Sequence, residues 1–370
     1  MRLFQMSKES QSRWDAWWAC DVVDRPVLIT GCSKNPPDSE RVIPDGPNPL
    51  IPLQPACHDD ARLKNYLRWF DSDTHISRNL KAAAELIPGC ENAMMFSTGW
   101  SVAYCLPFGI QPDFNEFAAW CEHTSGRTCN DEFIYDFDGL WHKWLIESSR
   151  RFVEAGKGLY YISPNMWGNH SGDTLMTLVG SEQILLDCMD IPEAVSRALE
   201  AITDAEIIVF KEILAIGKQS GLSGSRAYSG VWSSKTCLSY DCDVSAMISP
   251  KMYQEIFLPP LLRAMDIVDH RIYHLDGAAA LVHLPTILDI KKLQAIQWVC
   301  GAGNEGLYKW YDLYKKIQDA KKSIIVYAEY DEVLEVCKQL KPEGLAISFP
   351  SPSEEKMLEM EEKVTKFYAK

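Results

Sequence analysis

Eight short β-type runs recur along the chain, near residues 27, 94, 160, 238, 273, 296, 325 and 346, and helical stretches separate nearly all of them. No other feature constrains the fold as strongly. Strands that alternate with helices are joined by crossovers, and crossovers give parallel pairing. Eight such units in 370 residues suit an α/β fold of the (β/α)8 barrel type with inserted loops. A doubly wound open sheet is the alternative. No G-x-G-x-x-G follows the first run, which counts against a dinucleotide fold, and no G-x-x-x-x-G-K-[ST] occurs.

We read residues 1–370 as one domain, with an N-terminal helical segment over 1–25 and an insertion over 101–137. In the first helix Trp14, Trp17 and Trp18 share a face, as expected of a plug over one end of the fold. Residues 31–55 hold seven prolines and read as a long loop. Helices are expected over 58–70, 73–87 and 140–155, and over a long stretch capped by Asp190 and ending near 220. Pro259 and Pro260 should kink the helix that opens at Ser249-Pro250. Ser351, with Glu354 three residues on, predicts a capping box for the last helix.

Composition narrows the partners. With 46% hydrophobic and 24% charged residues the chain can bury a large core. The formal charge of −14, with no Lys/Arg-rich run, argues against nucleic acid and against an anionic membrane surface. No apolar run reaches the roughly 18 residues of a membrane span, and no signal-type segment opens the chain. A cytosolic protein is expected, with its 12 scattered cysteines acting as reduced, small apolar residues.

The densest cluster of chemistry lies in residues 271–304. Side chains alternate along a strand, so His274 and Asp276 share one face. The next strand carries Gln297 and Trp298 and runs into Cys300 and a glycine-rich loop. A His–Asp pair at a strand tip suits general acid/base work or ligand orientation. Asp243 could face the same rim or cap the turn after it, and Asp276 could cap the helix after Gly277. Trp100, Trp167, Trp232 and Tyr240 lie near other strand tips. Together with Gln297 and Trp298 they are the expected substrate-binding set, suited to an apolar, aromatic or quaternary ammonium ligand. His170 and Asp173 sit on the third βα loop, and Glu329 follows the seventh strand.

Residues 246–259, 273–277 and 295–303 resemble the uroporphyrinogen decarboxylase superfamily, with looser likeness at 180–193 and in Asp24-Arg-Pro-Val27. The resemblance is loose over most of the chain and specific between 240 and 304. It implies a (β/α)8 barrel with its site at the strand C-termini. It also implies one of two chemistries: decarboxylation of uroporphyrinogen, or methyl transfer between a small substrate and a corrinoid protein, often with zinc. After the first strand, where the decarboxylases carry arginines, this chain has Lys34 as its one cation. Where the zinc methyltransferases carry His-x-Cys and a distant Cys, it has His274-Leu275-Asp276 and a strand ending Ser348-Phe349-Pro350. Both cysteines are missing, which counts against a thiol-activating zinc centre. His274 and Asp276 keep the capacity for an oxygen-rich metal shell, with Glu329 or Cys300 as further ligands.

The leading expectation is a methyltransferase component. It would act on a methylamine or a methoxylated aromatic, with a corrinoid partner, His274, Asp276 and Asp243 in catalytic roles, and a homodimer as a possible assembly. Alternatives are a decarboxylase whose mouth is lined by Arg13, Arg25, Lys34 or Arg226, and a non-catalytic ligand cage.

Overall fold

The computed structural model describes residues 6–34, 60–98, 103–123, 126–167 and 170–369. Most of the proline-rich loop and Trp100 lie outside the described residues. The strands are β1 (Val27–Ser33), β2 (Leu86–Cys90), β3 (Pro112–Phe114), β4 (Ala119–Cys121), β5 (Ser225–Arg226), β6 (Trp232–Ser233), β7 (Cys237–Tyr240), β8 (His270–Asp276), β9 (Ala295–Val299), β10 (Ser323–Tyr327) and β11 (Leu345–Ser348). Seven of them form one sheet in the order β2-β1-β11-β10-β9-β8-β7. Every neighbouring pair is parallel except β1 with β2. This is an α/β protein with a mostly parallel sheet. Consecutive strands from β7 to β11 lie side by side, as crossover connections require.

Six of the eight expected runs are in this sheet. The runs near 94 and 160 are not: they meet in a single parallel bridge, Met95 with Tyr161. Hydrogen bonds from Asn165 and Glu91 tie these segments to the two flanks of the sheet. Asn165 donates its amide to Ser239 O (2.9 Å) and accepts the Ser239 N–H (3.0 Å). Glu91 accepts the Leu28 N–H on its carboxylate (2.9 Å) and donates its own N–H to Leu28 O (3.0 Å).

Several boundaries differ from the sequence reading. Residues 86–90 pair antiparallel with β1 instead of ending a helix, because Pro88 cannot continue one and the β1 edge offers partners. The long helix runs Pro192–Gly217 with Ile191, not Asp190, at its N-cap. The last helix is capped by Ser353 through Lys356 N rather than by Ser351. Pro259 and Pro260 remove two amide donors from their helix, and the preceding turn, Tyr253–Phe257, opens into a π-helix. Part of the expected insertion is a 3₁₀ helix, Ala103–Phe108, followed by the β3–β4 hairpin.

The sheet is buried on both faces, so its strands read as near-continuous apolar runs. Leu28, Tyr273, Ile296, Val326 and Ile347 face an outer layer of helices. Val27, Ile29, Ile272, Ala295, Ile325 and Ala346 face an inner cluster with Ala93, Tyr161, Ala227, Val231 and Trp232. The helix Lys8–Trp18 closes one end of that cluster. Trp14, Trp17 and Trp18 are buried, and their indole N–H groups donate to Glu91 O, Ile324 O and Trp232 O. Burying an indole of about 200 Å² contributes on the order of 5 kcal/mol.

His270 stacks on Trp18 with ring centroids 4.4 Å apart, and its Nδ1 lies 2.8 Å from Ser233 Oγ. Burial, with Lys235 nearby, pushes its pKa down to about 4. The folded state therefore favours the neutral ring. Its stabilising effect is complete above the unfolded value near 6.5 and is lost as pH falls through the window from there to about 4. His270→Asn should show a shallower loss of urea resistance between pH 7 and 4.5 than the parent. Identical pH slopes for the two proteins would contradict this assignment.

Candidate metal centre

Strand alternation puts His274 and Asp276 on the inner face of β8, away from buried Tyr273 and Leu275. Asp243 comes from the 3₁₀ turn Asp243–Met247 just after β7, the strand beside β8. One ligand atom from each of Asp243, His274 and Asp276 lies within 4.8 Å of the other two, and all three residues are partly buried. Among the described residues this is the one group of three or more His, Cys, Asp or Glu side chains placed to hold an ion.

The supports around the triad explain its geometry. Asp276 does not cap the next helix; that position falls to Gly277, whose φ of 77° lets the chain turn sharply after the strand. Asp243 does not cap its own turn either. The carboxylate of buried Asp173 takes the N–H groups of Asp243 and Val244, each at 2.9 Å. The Asp243 side chain is thereby left to face His274. His274 Nδ1 donates to Gln297 Oε1 at 2.7 Å, and Gln297 Nε2 donates to the Tyr327 hydroxyl at 2.5 Å. Gln297 is 1% exposed, and β8–β9 register places it directly beside His274. An acceptor at Nδ1 fixes the imidazole tautomer and leaves Nε2 as the free lone pair, the usual support of a metal-bound histidine.

The site is strongly acidic. Burial, then the Asp241 carboxylate, pushes Asp243 up to about 6, while His274 acts in the opposite direction. Asp173 is held far above the usual carboxylate range by burial and by Asp241 and Asp243. Behind it, buried Glu206 accepts Thr174 Oγ1 at 3.1 Å and is raised by its own burial. A cation at the triad would neutralise this excess of negative charge. One imidazole and two carboxylates are a fitting donor set for zinc or another divalent first-row metal, and three protein ligands leave coordination positions open.

The other expected residues are dispersed. Trp167 is buried against Trp144 and Phe152, with its N–H on Ser149 Oγ. Trp232 belongs to the inner cluster and donates to Tyr161 Oη and Ser223 O. Tyr240 and Trp298 point to the outer layer, bonded to Ala264 O and stacked edge-on with Trp310 respectively. Cys300 packs against the same outer layer. Glu329 forms a capping box with Glu332 at the turn Tyr330–Glu332. His170 is buried, its Nε2 donating to Ser239 O at 2.8 Å. Strand alternation already sends Tyr240 and Trp298 outward, because each is one residue out of phase with the inner positions.

Two neighbours of the triad escaped the sequence reading. Tyr228, 51% exposed, meets the His274 ring edge-on with centroids 6.3 Å apart. Tyr327, 41% exposed, ends β10 and anchors Gln297. Tyr327 was detectable as the inward residue of its strand by alternation with Ile325. Tyr228 lies on a glycine/serine-rich turn with no periodic signal.

Fold and site together define an α/β protein with a His–carboxylate cluster at the C-terminal ends of adjacent parallel strands. No family model and no curated protein matches the chain. Among solved structures, a methyltransferase from Methanosarcina mazei matches with a TM-score of 0.56 at 11% sequence identity. The match covers 99% of this chain and 100% of that one. At that identity the likeness concerns the fold alone. No helix among the described residues is long and apolar enough to cross a membrane.

Proposed function

We propose that this chain is a methyltransferase component of the uroporphyrinogen decarboxylase superfamily. It would move a methyl group between a small methylated substrate, a methylamine or a methoxylated aromatic, and a corrinoid protein. The observation that carries the proposal is the Asp243–His274–Asp276 cluster, with His274 oriented by Gln297, at the strand ends of a fold matching a methyltransferase over its whole length. We further infer that the strands close into a (β/α)8 barrel. The Met95–Tyr161 bridge and the side-chain bonds of Asn165 and Glu91 lie where the two missing strands would complete the ring, and the inner cluster would be its interior.

In this reading Asp243, His274 and Asp276 hold a divalent ion, which when bound supplies a Lewis acid to polarise the heteroatom carrying the methyl group. Gln297 keeps Nε2 of His274 aimed at the site, and Tyr228 offers an aromatic face beside it. Gln297→Leu is expected to weaken metal binding about 10- to 100-fold while the fold persists. Competition against a chromophoric chelator measures this, and unchanged affinity would remove the orienting role. The function itself is tested by corrinoid-dependent methyl transfer from a panel of methylamines and methoxyarenes, read from the corrinoid spectrum. No transfer from any donor to any corrinoid partner would sink it.

A decarboxylase of a multiply charged porphyrinogen has less support. Of the four cations expected to line its mouth, Arg13 and Arg25 are committed to Glu91, Asp24 and Glu361, which leaves Lys34 and Arg226 for a substrate with many carboxylates.

A further inference from the structure

Arg226 stands apart from the other arginines. Arg13, Arg25 and Arg263 are paired with carboxylates, and Arg271 donates to four backbone carbonyls. Arg226 has no carboxylate or carbonyl partner among the described residues; its Nε is sealed from solvent without an acceptor, as are those of Arg25, Arg68 and Arg263, so what distinguishes it is the missing counter-charge. The side chain is only partly exposed. A cation set this deep without a protein counter-charge attracts an anion, because burial weakens its hydration while the charge persists.

The surroundings show where that anion would sit. β5 and β6 form a ribbon whose turn, Tyr228–Gly230, enters the inner cluster, with Ala227 and Val231 fully buried there. A Cβ built on Gly230 would lie 2.7 Å from Ile29 Cγ2 and 3.4 Å from Arg226 Nη2, so glycine at 230, with φ of 83°, makes room for the guanidinium beside β1. Two residues on from Arg226, Tyr228 meets the ring of His274. The groups that feel the Arg226 charge are Cys237, Tyr161 and Tyr327, and Tyr327 is the residue that anchors Gln297 against His274. Burial lowers the guanidinium pKa to about 10, which still leaves it charged at neutral pH.

We infer that Arg226 is the anion-recognition residue of this site, and that the substrate carries a carboxylate which the guanidinium fork binds while the reacting end lies at the triad. The inference rests on the triad being the reaction centre. A planar carboxylate matches the two parallel N–H donors of arginine. The nearby tyrosines then bracket an aromatic or apolar body between the two ends. Such a site discriminates strongly, because a neutral analogue leaves the cation unpaired.

The test compares 4-methoxybenzoate with 4-methoxybenzamide, its uncharged isostere, by calorimetric titration of the full chain loaded with Zn²⁺. The acid is expected to bind about 10- to 100-fold more tightly than the amide, and Arg226→Gln should erase that difference by weakening the acid. Equal affinity of acid and amide for the parent, no binding of the acid, or full retention of acid binding in Arg226→Gln would each overturn the inference. If the variant does not fold, the acid–amide comparison on the parent decides. Methyl transfer from trimethylamine, which has no carboxylate, is measured in parallel. Transfer from that donor without any acid preference defeats the role of Arg226 and leaves the methyltransferase reading standing.

Discussion

His274→Ala should weaken divalent metal binding on the order of 10²- to 10³-fold and remove methyl transfer with it. The magnitude follows from dividing the roughly 10–16 kcal/mol of a four-ligand zinc site among its ligands. His274 is the single nitrogen donor of the cluster, and the ligand whose orientation the protein controls most closely, through Gln297 and Tyr327. Removing it leaves two carboxylates and a tolerated cavity on a partly exposed face, so the fold should survive. Metal-to-protein stoichiometry after gel filtration, together with circular dichroism, checks both halves. Stoichiometric zinc at parental affinity in the variant would exclude His274 as a ligand. Retained substrate binding, with no turnover in variant or parent under any condition, would favour a ligand cage over an enzyme.

Glu91→Ala should cost about 3–5 kcal/mol of folding stability, the usual penalty for stranding a buried partner charge. Glu91 and Arg25 both have fully buried side chains, joined at 2.9 and 3.1 Å. The same carboxylate accepts from Arg13 at 2.9 Å and from the Leu28 N–H at 2.9 Å. Removing it leaves the Arg25 guanidinium with the partly exposed Glu361 as its remaining counter-charge, and a β1 amide without a partner. Asp24→Asn on the same network should cost under about 1 kcal/mol, since Asp24 is 43% exposed and screened. Equilibrium urea unfolding of the two variants separates these cases, and comparable losses in both would refute the special role of the buried carboxylate. Because Glu91 joins β1 to the segment leading to Met95, its loss should also speed amide exchange at Leu28 ahead of the rest of β1.

Much of the site was legible from local rules. Period-two alternation put His274 and Asp276 on one face, and the order of strands and helices put that face in a parallel sheet. Asp243 was legible only as one of two options. Its release from capping depends on Asp173, a residue 70 positions away whose carboxylate takes over the turn amides. Glu329 and Cys300 read equally well as ligands by position. Glu329 is drawn into a local capping box instead, and Cys300 turns to the outer layer. Tryptophans near strand tips looked like a binding rim. Trp167, Trp232 and Trp298 are nevertheless buried, because an indole gains more from packing than from lining a wet mouth.

By itself, the sequence determined six of the seven strands of the sheet and their parallel pairing, the Trp-rich helix that closes one end, and the residue types available at β8. These depend on periodicity and on φ/ψ preference, which act over a few residues. Tertiary structure alone decided which carboxylate joins His274 and Asp276, which tautomer His274 adopts, and that Arg226 has no counter-charge among the described residues. Each of these depends on groups brought together from distant parts of the chain. Hydrogen bonds and charges act over a few ångströms of space, and the chain order does not encode that distance until the sheet has formed.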